Sequence, residues 1–399
     1  MEIQNIFSFV ENFVKQGFPR IIASNPLMQF GTENDLLFFA RFLPVIQTET
    51  NTVYEEVVKV GAGFVANDGS PMSAPQIKQV GVSGMGVTFQ LGHYDIASQF
   101  DARELSDLGK LLNSGTDKAL AEQYLTNWMI TRLRMAIEKK TELARIDAII
   151  NGKCTISPLD SAPYDIKYPL PNNYRRQFPN FWDSALNPLI EVFAPLLIEF
   201  RDKGFEIDSI ITSNKVFNSW QLNTAIAYMT GGSFVFDSQG RFRNVGYRLG
   251  ASVVQGAFIE QGLPEVTIFD THYEDQLGNR RRYVPDDIII VIGRTNRNQL
   301  IDVTDLNQRI LRRELIRGTL GYVAEGISLG NTVPGMTMRL KTSEDKPVGV
   351  YGSAWVERFP IYMESEAVVI FEVGQKPVTP PKPKESVLEV EEPAKQKTK

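Results

Sequence analysis

Residues 117–151 contain neither glycine nor proline, and Gly152 follows at once. An unbroken run of this kind predicts one helix of about 50 Å at about 1.5 Å per residue, far longer than the usual helix of about 11–12 residues. Ser114 is the expected N-cap, with Asp117 three positions on as an acidic form of the capping box. Gly152 supplies the residue that tolerates a left-handed closing turn. Apolar side chains recur at Leu120, Tyr124, Trp128 and Met135, and again at Leu125, Met129, Leu133 and Ala136. Two adjoining buried stripes are therefore expected, the first forming the core of a spine. Arg132, Arg134, Lys139, Lys140 and Glu142 are expected on the remaining face. The run is too charged to cross a membrane, and its stripes hold no clean heptad beyond about three turns, which argues against a coiled coil. Such a rod needs a long partner surface, and extended strands packing along it are the expected solution.

The chain of 399 residues is large enough for two or more domains. Its net charge of -5 argues against a nucleic-acid binder that works by neutralising phosphates. A container wall that must not stick to packed nucleic acid suits this balance, as do most cytoplasmic enzymes. Cys154 is the only cysteine, which excludes an intramolecular disulfide and any multi-cysteine zinc site, and it is expected to be a small buried apolar residue. With only His93 and His272 present, histidine-based metal or acid–base chemistry has little to draw on. No cofactor, metal or catalytic residue is expected. The acidic start is not a signal peptide, and no run approaches the roughly 20 apolar residues of a transmembrane span, so a soluble chain made inside the cell is expected.

Taken in order, residues 4–16 read as a helix with Ile6, Phe7, Val10 and Phe13 on its apolar side, stopping at Gly17. That stripe must be covered, by its own domain or, as an arm, by a neighbouring subunit; a membrane surface is disfavoured because the polar face lacks the basic residues that surface helices use. A second apolar segment, 35–43, ends at Pro44. Residues 53–60 read as a strand, 66–71 as a turn, and a return strand starts near Ile77, loosened by Gly81, Gly84 and Gly86. This two-stranded arm has too few bulky side chains for a core of its own and should lie on another chain. Residues 61–66 superficially match a dinucleotide fingerprint, but turn residues follow where a helix would be needed.

Beyond the spine, 156–179 reads as a connecting loop, 181–203 as a helix despite Pro188 and Pro195, 209–212 as a short buried strand, and 214–229 as another helix. Strand-like runs follow at 251–254 and 265–269. Residues 273–280 carry a turn, and 288–292 is a strand apolar on both faces, hence central in a covered sheet. Asp286 and Asp287 read as the turn before that strand. This alternation gives a compact α/β unit. The arginines between 280 and 317 are interleaved with acids and are expected in inter-subunit ion pairs or on solvated faces. Strands are expected around 336–340, 348–351, 360–363 and 367–373, and the Pro- and Lys-rich stretch 374–399 should be disordered.

This order of parts resembles the major capsid proteins of tailed bacteriophages, in particular the family of the phage lambda major head protein. The residues that carry the resemblance are the spine with its ending Ile149-Ile150-Asn151-Gly152-Lys153-Cys154-Thr155, the Tyr283-Val284-Pro285-Asp286-Asp287 turn with its hydrophobic strand, and Arg358-Phe359-Pro360-Ile361 leading to Val373. The resemblance implies an α+β capsid fold. Residues 1–50 would be the N-terminal arm and 51–99 an extended loop lying on a neighbour. Residues 100–156 and 336–373 would form a peripheral domain, and 157–335 an axial α/β domain. It implies inter-subunit contacts through Val53, Tyr54, Val57, Val60, Phe64, Val80, Val82 and Phe89 of the loop and Ile6, Phe7, Val10 and Phe13 of the arm. It also implies hexamers and pentamers of the chain, a separate scaffolding protein, a portal, possible decoration and packaged double-stranded DNA, with assembly in the host cytoplasm. The other classes weighed are a cellular nanocompartment shell of the same fold and a soluble α/β enzyme.

Overall fold

The computed structural model describes residues 3–17, 37–59, 83–113, 118–156 and, with short interruptions, 164–374. The spine forms where the sequence places it, but not as one uniform helix. An α-helix, Lys118–Trp128, passes into a π-helical segment, Met129–Arg134, and continues as an α-helix, Met135–Asn151. At the junction the Met135 N–H bonds the Ile130 carbonyl five residues back, so the helix is locally widened. Gly152, at φ 61°, closes the spine with its N–H on the Ala148 carbonyl. Ser114, the expected N-cap, lies outside the described residues.

Two five-stranded sheets flank the spine. In the long sheet the strands run Val45–Gln47, Gly321–Glu325, Gly349–Tyr362, Thr337–Ser343, with Gly92–Gln99 also paired to Gly349–Tyr362. Tyr351–Trp355 pair with both Thr337–Ser343 and Gly92–Gln99, which therefore lie on opposite edges of this strand. The spine packs on the same strand, and Gly352 marks the contact. A Cβ there would stand 2.6 Å from Trp128 Cζ3 and 2.8 Å from Leu133 Cδ1. Phe100 stacks on Trp128 with ring centroids 4.1 Å apart.

The second, mixed sheet is ordered Val266–Ile268, Phe205–Thr212, Ile288–Thr295, Val368–Glu372, Arg175–Gln177. Ile288–Thr295 sits in its centre, antiparallel to both neighbours, and Ile289, Ile290 and Val291 are fully buried, as their two-faced apolar pattern requires. Gly92–Gln99, read from sequence as part of the extended loop, is thus a sheet strand, and Val368–Glu372, read with the peripheral part, is an inner strand of the mixed sheet, between Ile288–Thr295 and the edge strand Arg175–Gln177. Gly321–Glu325 likewise leaves the α/β unit for the long sheet.

Several local expectations are corrected. Residues 251–254 are not a strand but the start of a helix, Ala251–Glu260, whose buried residues Val254, Ala257 and Phe258 show the helical spacing that a four-residue window hides. The helix expected over 181–203 begins only after Pro188. It runs as a π-turn, Leu189–Phe193, into Ala194–Asp202, where Pro195 has no N–H to give an ordinary i–4 bond. Residues 214–229 split into Asn214–Gln221 and Thr224–Met229. Asn223 caps the second helix with its side chain on the Ile226 N–H and donates to the Leu186 carbonyl. The loop expected over 156–179 contains a hairpin, Lys153–Ile156 with Tyr164–Lys167, and the edge strand Arg175–Gln177.

Candidate functional site

With no catalytic constellation expected, the functional features are the surfaces that assembly would use and the core that holds them. The extended ribbon is present as Thr52–Lys59 paired antiparallel to Ser83–Gln90, and among the described residues this pair belongs to no larger sheet. Val53, 9% exposed, anchors its base in the core beside Leu91. Tyr54, Val57 and Phe89 lie on its strands, paired in register with Thr88, Met85 and Val53. Val60, Phe64, Val80 and Val82 fall outside the described residues, as does the 61–66 glycine run.

The N-terminal helix, Ile3–Lys15, is placed otherwise than the resemblance implies. Ile6, Phe7, Val10 and Phe13 are buried within the chain itself, against Thr337–Ser343 and Ala102–Asn113. A free edge strand and a neighbouring helix offer a ready apolar surface, so the stripe is covered without a second subunit. Residues 375–399 lie outside the described residues, and with them the expected disordered tail.

On the spine the four expected core residues part company. Trp128 and Met135 are buried, Tyr124 is half-buried, and Leu120 is 44% exposed. The other stripe is buried at Leu125, Met129 and Leu133, while Ala136 is only half-buried. Leu120 sits about 100° around the helix from Ala121, the residue that starts the buried line through Leu125 and Trp128.

The larger correction concerns charge. Arg134 and Glu142, expected on a solvated face, are buried, and so are Glu138 and Arg145. Arg358 of the long strand faces Glu138. Its Nη1 and Nη2 donate to the two carboxylate oxygens of Glu138 at 3.0 and 3.1 Å, its Nε donates to Glu325 at 2.7 Å, and Nη1 also donates to Thr141 Oγ1 at 3.1 Å. Burial pushes the Glu138 carboxyl up, but the Arg358, Arg145 and Arg134 guanidinium groups hold it net below its ordinary value. One turn on, Glu142 accepts from Arg145 Nη1 at 2.9 Å and from the Phe39 N–H at 2.6 Å, while Arg145 Nε donates to the Leu43 carbonyl at 2.9 Å. Here burial prevails, and the Glu142 carboxyl is raised. The pair ties the turn Phe38–Arg41 and the start of the first sheet strand to the spine. No sequence pattern marks these residues as buried, because the groups that cover them, Arg358, Phe39 and Leu43, lie more than 100 positions away.

Cys154 is buried as expected, and burial with nearby Asp147 raises its thiol to about 12. The arginines at 281 and 282 pair within the chain, Arg281 with Asp275 at 2.8 Å and Arg282 with Asp270 and Asp286 at 2.5 Å. The side chains of Arg297, Arg309, Arg312, Arg313 and Arg317 are outside the described set. Asp286 and Asp287 form the turn before the central strand. Among the described residues no three His, Cys, Asp or Glu side chains are grouped to hold a metal, and no helix is long and apolar enough to cross a membrane.

Large apolar side chains that the sequence did not single out stand exposed on the helices beside the mixed sheet. They are Tyr228, Val253 and Ile259 on two helices that touch one another, Leu222 just past the end of Asn214–Gln221, which touches both, and Ile190 and Ile198 on a fourth helical segment.

Comparison by sequence finds no matching protein family and no matching curated relative. By structure, the chain is similar to a prophage protein of E. coli CFT073 assigned as its capsid protein, at a TM-score of 0.51 and 15% identity, covering 85% of this chain and 93% of that one. A phage-related protein of Bordetella bronchiseptica RB50 gives a TM-score of 0.46 at 8% identity, covering 84% and 92%. The encapsulin of Synechococcus elongatus PCC 7942 gives 0.39 at 13% identity, covering 88% and 91%. Only the first likeness is close enough to carry an argument, and it establishes the architecture: the chain has a phage capsid-protein fold.

Proposed function

We propose that this chain is the major capsid protein of a tailed bacteriophage, assembling with copies of itself into an icosahedral shell around double-stranded DNA. The observation that carries the reading is the fold match to the prophage capsid protein, which runs through 85% of this chain and nearly the whole of that one. The ribbon Thr52–Lys59/Ser83–Gln90 supports it, since a two-stranded element that joins no larger sheet among the described residues gains its stability by lying on something else. The spine and long sheet are the peripheral unit, the helices and mixed sheet the axial unit that meets its copies around the capsomer axis. Leu222, Tyr228 and Val253 are the axial residues we assign to that contact.

Hexamers and pentamers of the chain, a separate scaffolding protein and a portal are the partners this reading requires, with assembly in the host cytoplasm. Closed symmetry lets many modest contacts sum to one stable particle. Electron microscopy with sedimentation on the purified chain, alone and co-expressed with a scaffold, tests the proposal. Closed shells or capsomer rings are expected. A monomer or dimer under every condition would overturn it.

A further inference from the structure

Gly92–Gln99 ends the long sheet on its side. It pairs with Gly349–Tyr362 over its whole length, from Gly92 opposite Arg358 to Gln99 opposite Tyr351, without a bulge. Just beyond, the Phe100 N–H donates to the Val350 carbonyl at 3.0 Å. In an antiparallel ladder every second residue exchanges such bonds with its opposite number. The N–H and C=O groups of Gly92, Tyr94, Ile96 and Ser98 are therefore turned inward. Those of His93, Asp95, Ala97 and Gln99 point out of the sheet, and the side chains of the same four residues are exposed. Among the described residues no strand pairs with this edge, and no hydrogen bond meets these outward backbone groups.

An edge strand that is to stay alone is usually blunted by lysine, proline, a bulge or a cover. This one is eight residues long and carries no lysine, proline or bulge. The other sheet edges differ. Thr337–Ser343, across the long sheet, lies against the N-terminal helix, and the mixed sheet ends in Val266–Ile268 and Arg175–Gln177, strands of three residues each. The edge is also complementary to itself. Set antiparallel to the same strand of a second copy, His93 falls opposite Gln99 and Asp95 opposite Ala97. All four outward residues of each strand are then paired, and no like charges stand directly opposite one another. A slide of two residues one way sets Asp95 against Asp95, and the other way leaves His93 without an opposite residue. A two-fold contact of one patch with itself is the commonest way identical chains meet.

We propose that Gly92–Gln99 is a self-pairing seam, where two copies of the chain join edge to edge about a two-fold axis and their long sheets become one. About eight backbone hydrogen bonds form across it, two for each opposed pair of outward residues. The seam is separate from the ribbon contact and does not require a closed shell.

His93→Cys and Gln99→Cys variants, co-expressed, purified and oxidised, test the seam on a non-reducing gel. Hydrogen-bonded residues across an antiparallel pair stand about 5.5 Å apart at Cα, within reach of a disulfide. In either variant alone the two cysteines would lie about 20 Å apart along the strands. The native Cys154 is buried and does not compete. A band of twice the chain mass is expected from the co-expressed pair and not from either variant alone. Adding Ala97→Pro to both should abolish it with the circular dichroism spectrum unchanged, because proline there removes an outward N–H and leaves the inner ladder intact. No such band from the co-expressed pair would overturn the proposal, and is the result if a neighbour's ribbon holds this edge instead. An equal band from one variant alone, or one undiminished by Ala97→Pro, would overturn it too. Closed shells without the band would sink the seam and leave the capsid reading standing.

Discussion

Arg358 is the residue on which the interior depends most. It sits between two buried carboxylates, Glu138 and Glu325, and donates to both. Replacing it with Met removes one charge and leaves two acids buried together, and breaking a buried pair from one side costs about 3–5 kcal/mol. A fall of that size in unfolding free energy by denaturant titration is the expected outcome for Arg358→Met, with partial recovery when Glu138→Gln is added. Cys154 gives a second test. A thiol raised to about 12 and buried stays protonated and inaccessible at neutral pH. Folded protein should therefore resist thiol labelling at pH 8, and the label should enter fully in denaturant. At the surface, hydrogen bonds from Arg176 and Lys203 lower the Glu199 carboxyl to about 2. The folded value is below the unfolded one, about 4.3. The stability it contributes is thus complete above the unfolded value and lost as pH falls from about 4 through about 2. The group is partly exposed, so Glu199→Gln should cost under about 1 kcal/mol at pH 7.

At the scale of elements, the contact between spine and long strand has almost no spare volume. Gly352 lies against Trp128 and Leu133 where the spine is π-helical. A methyl group there would have to displace an indole ring stacked on Phe100 and a fully buried leucine. Gly352→Ala should destabilise by about 1–3 kcal/mol, measured by chemical denaturation, whereas alanine at Gly256, which has nothing nearby, should not destabilise the protein. The glycine at 152 is required for another reason. Its φ of 61° is left-handed, and Leu170 fills the space a side chain would need. Both the helix and its terminating glycine could be read from the sequence, because they follow from local conformational rules. Neither the widened turn nor the close approach of Gly352 could be, since each depends on which strand lies beneath. The helix at Ala251–Glu260 shows the same limit in a short window, where β-branched residues read as strand until the full helical period is counted.

For the whole molecule, the ribbon and the body can be separated. Gly92–Gln99 is a strand of the long sheet, so a deletion that tests the ribbon has to stop short of it. Joining residue 53 to residue 89 with a short Gly–Ser turn should leave a folded protein with an unchanged circular dichroism spectrum and no closed shells. Normal particles from that deletion would sink the assignment of the ribbon to inter-subunit contact.

The sequence by itself determined the spine and its end, the central apolar strand with its Pro-Asp turn, the two-stranded ribbon and the capsid-like order of parts. All of these rest on periodicity, turn chemistry or spacing along the chain, which act over a few residues. Tertiary structure alone decided which apolar stripe of the spine is covered, why Glu138, Glu142 and Arg145 lie inside, and that the N-terminal helix is buried on its own sheet. It also decided that Val368–Glu372 joins the mixed sheet while its chain neighbour Gly349–Tyr362 builds the long one. The reason is common to all four. Burial of a charge or an apolar face depends on the surface that covers it, and here that surface comes from a distant part of the chain.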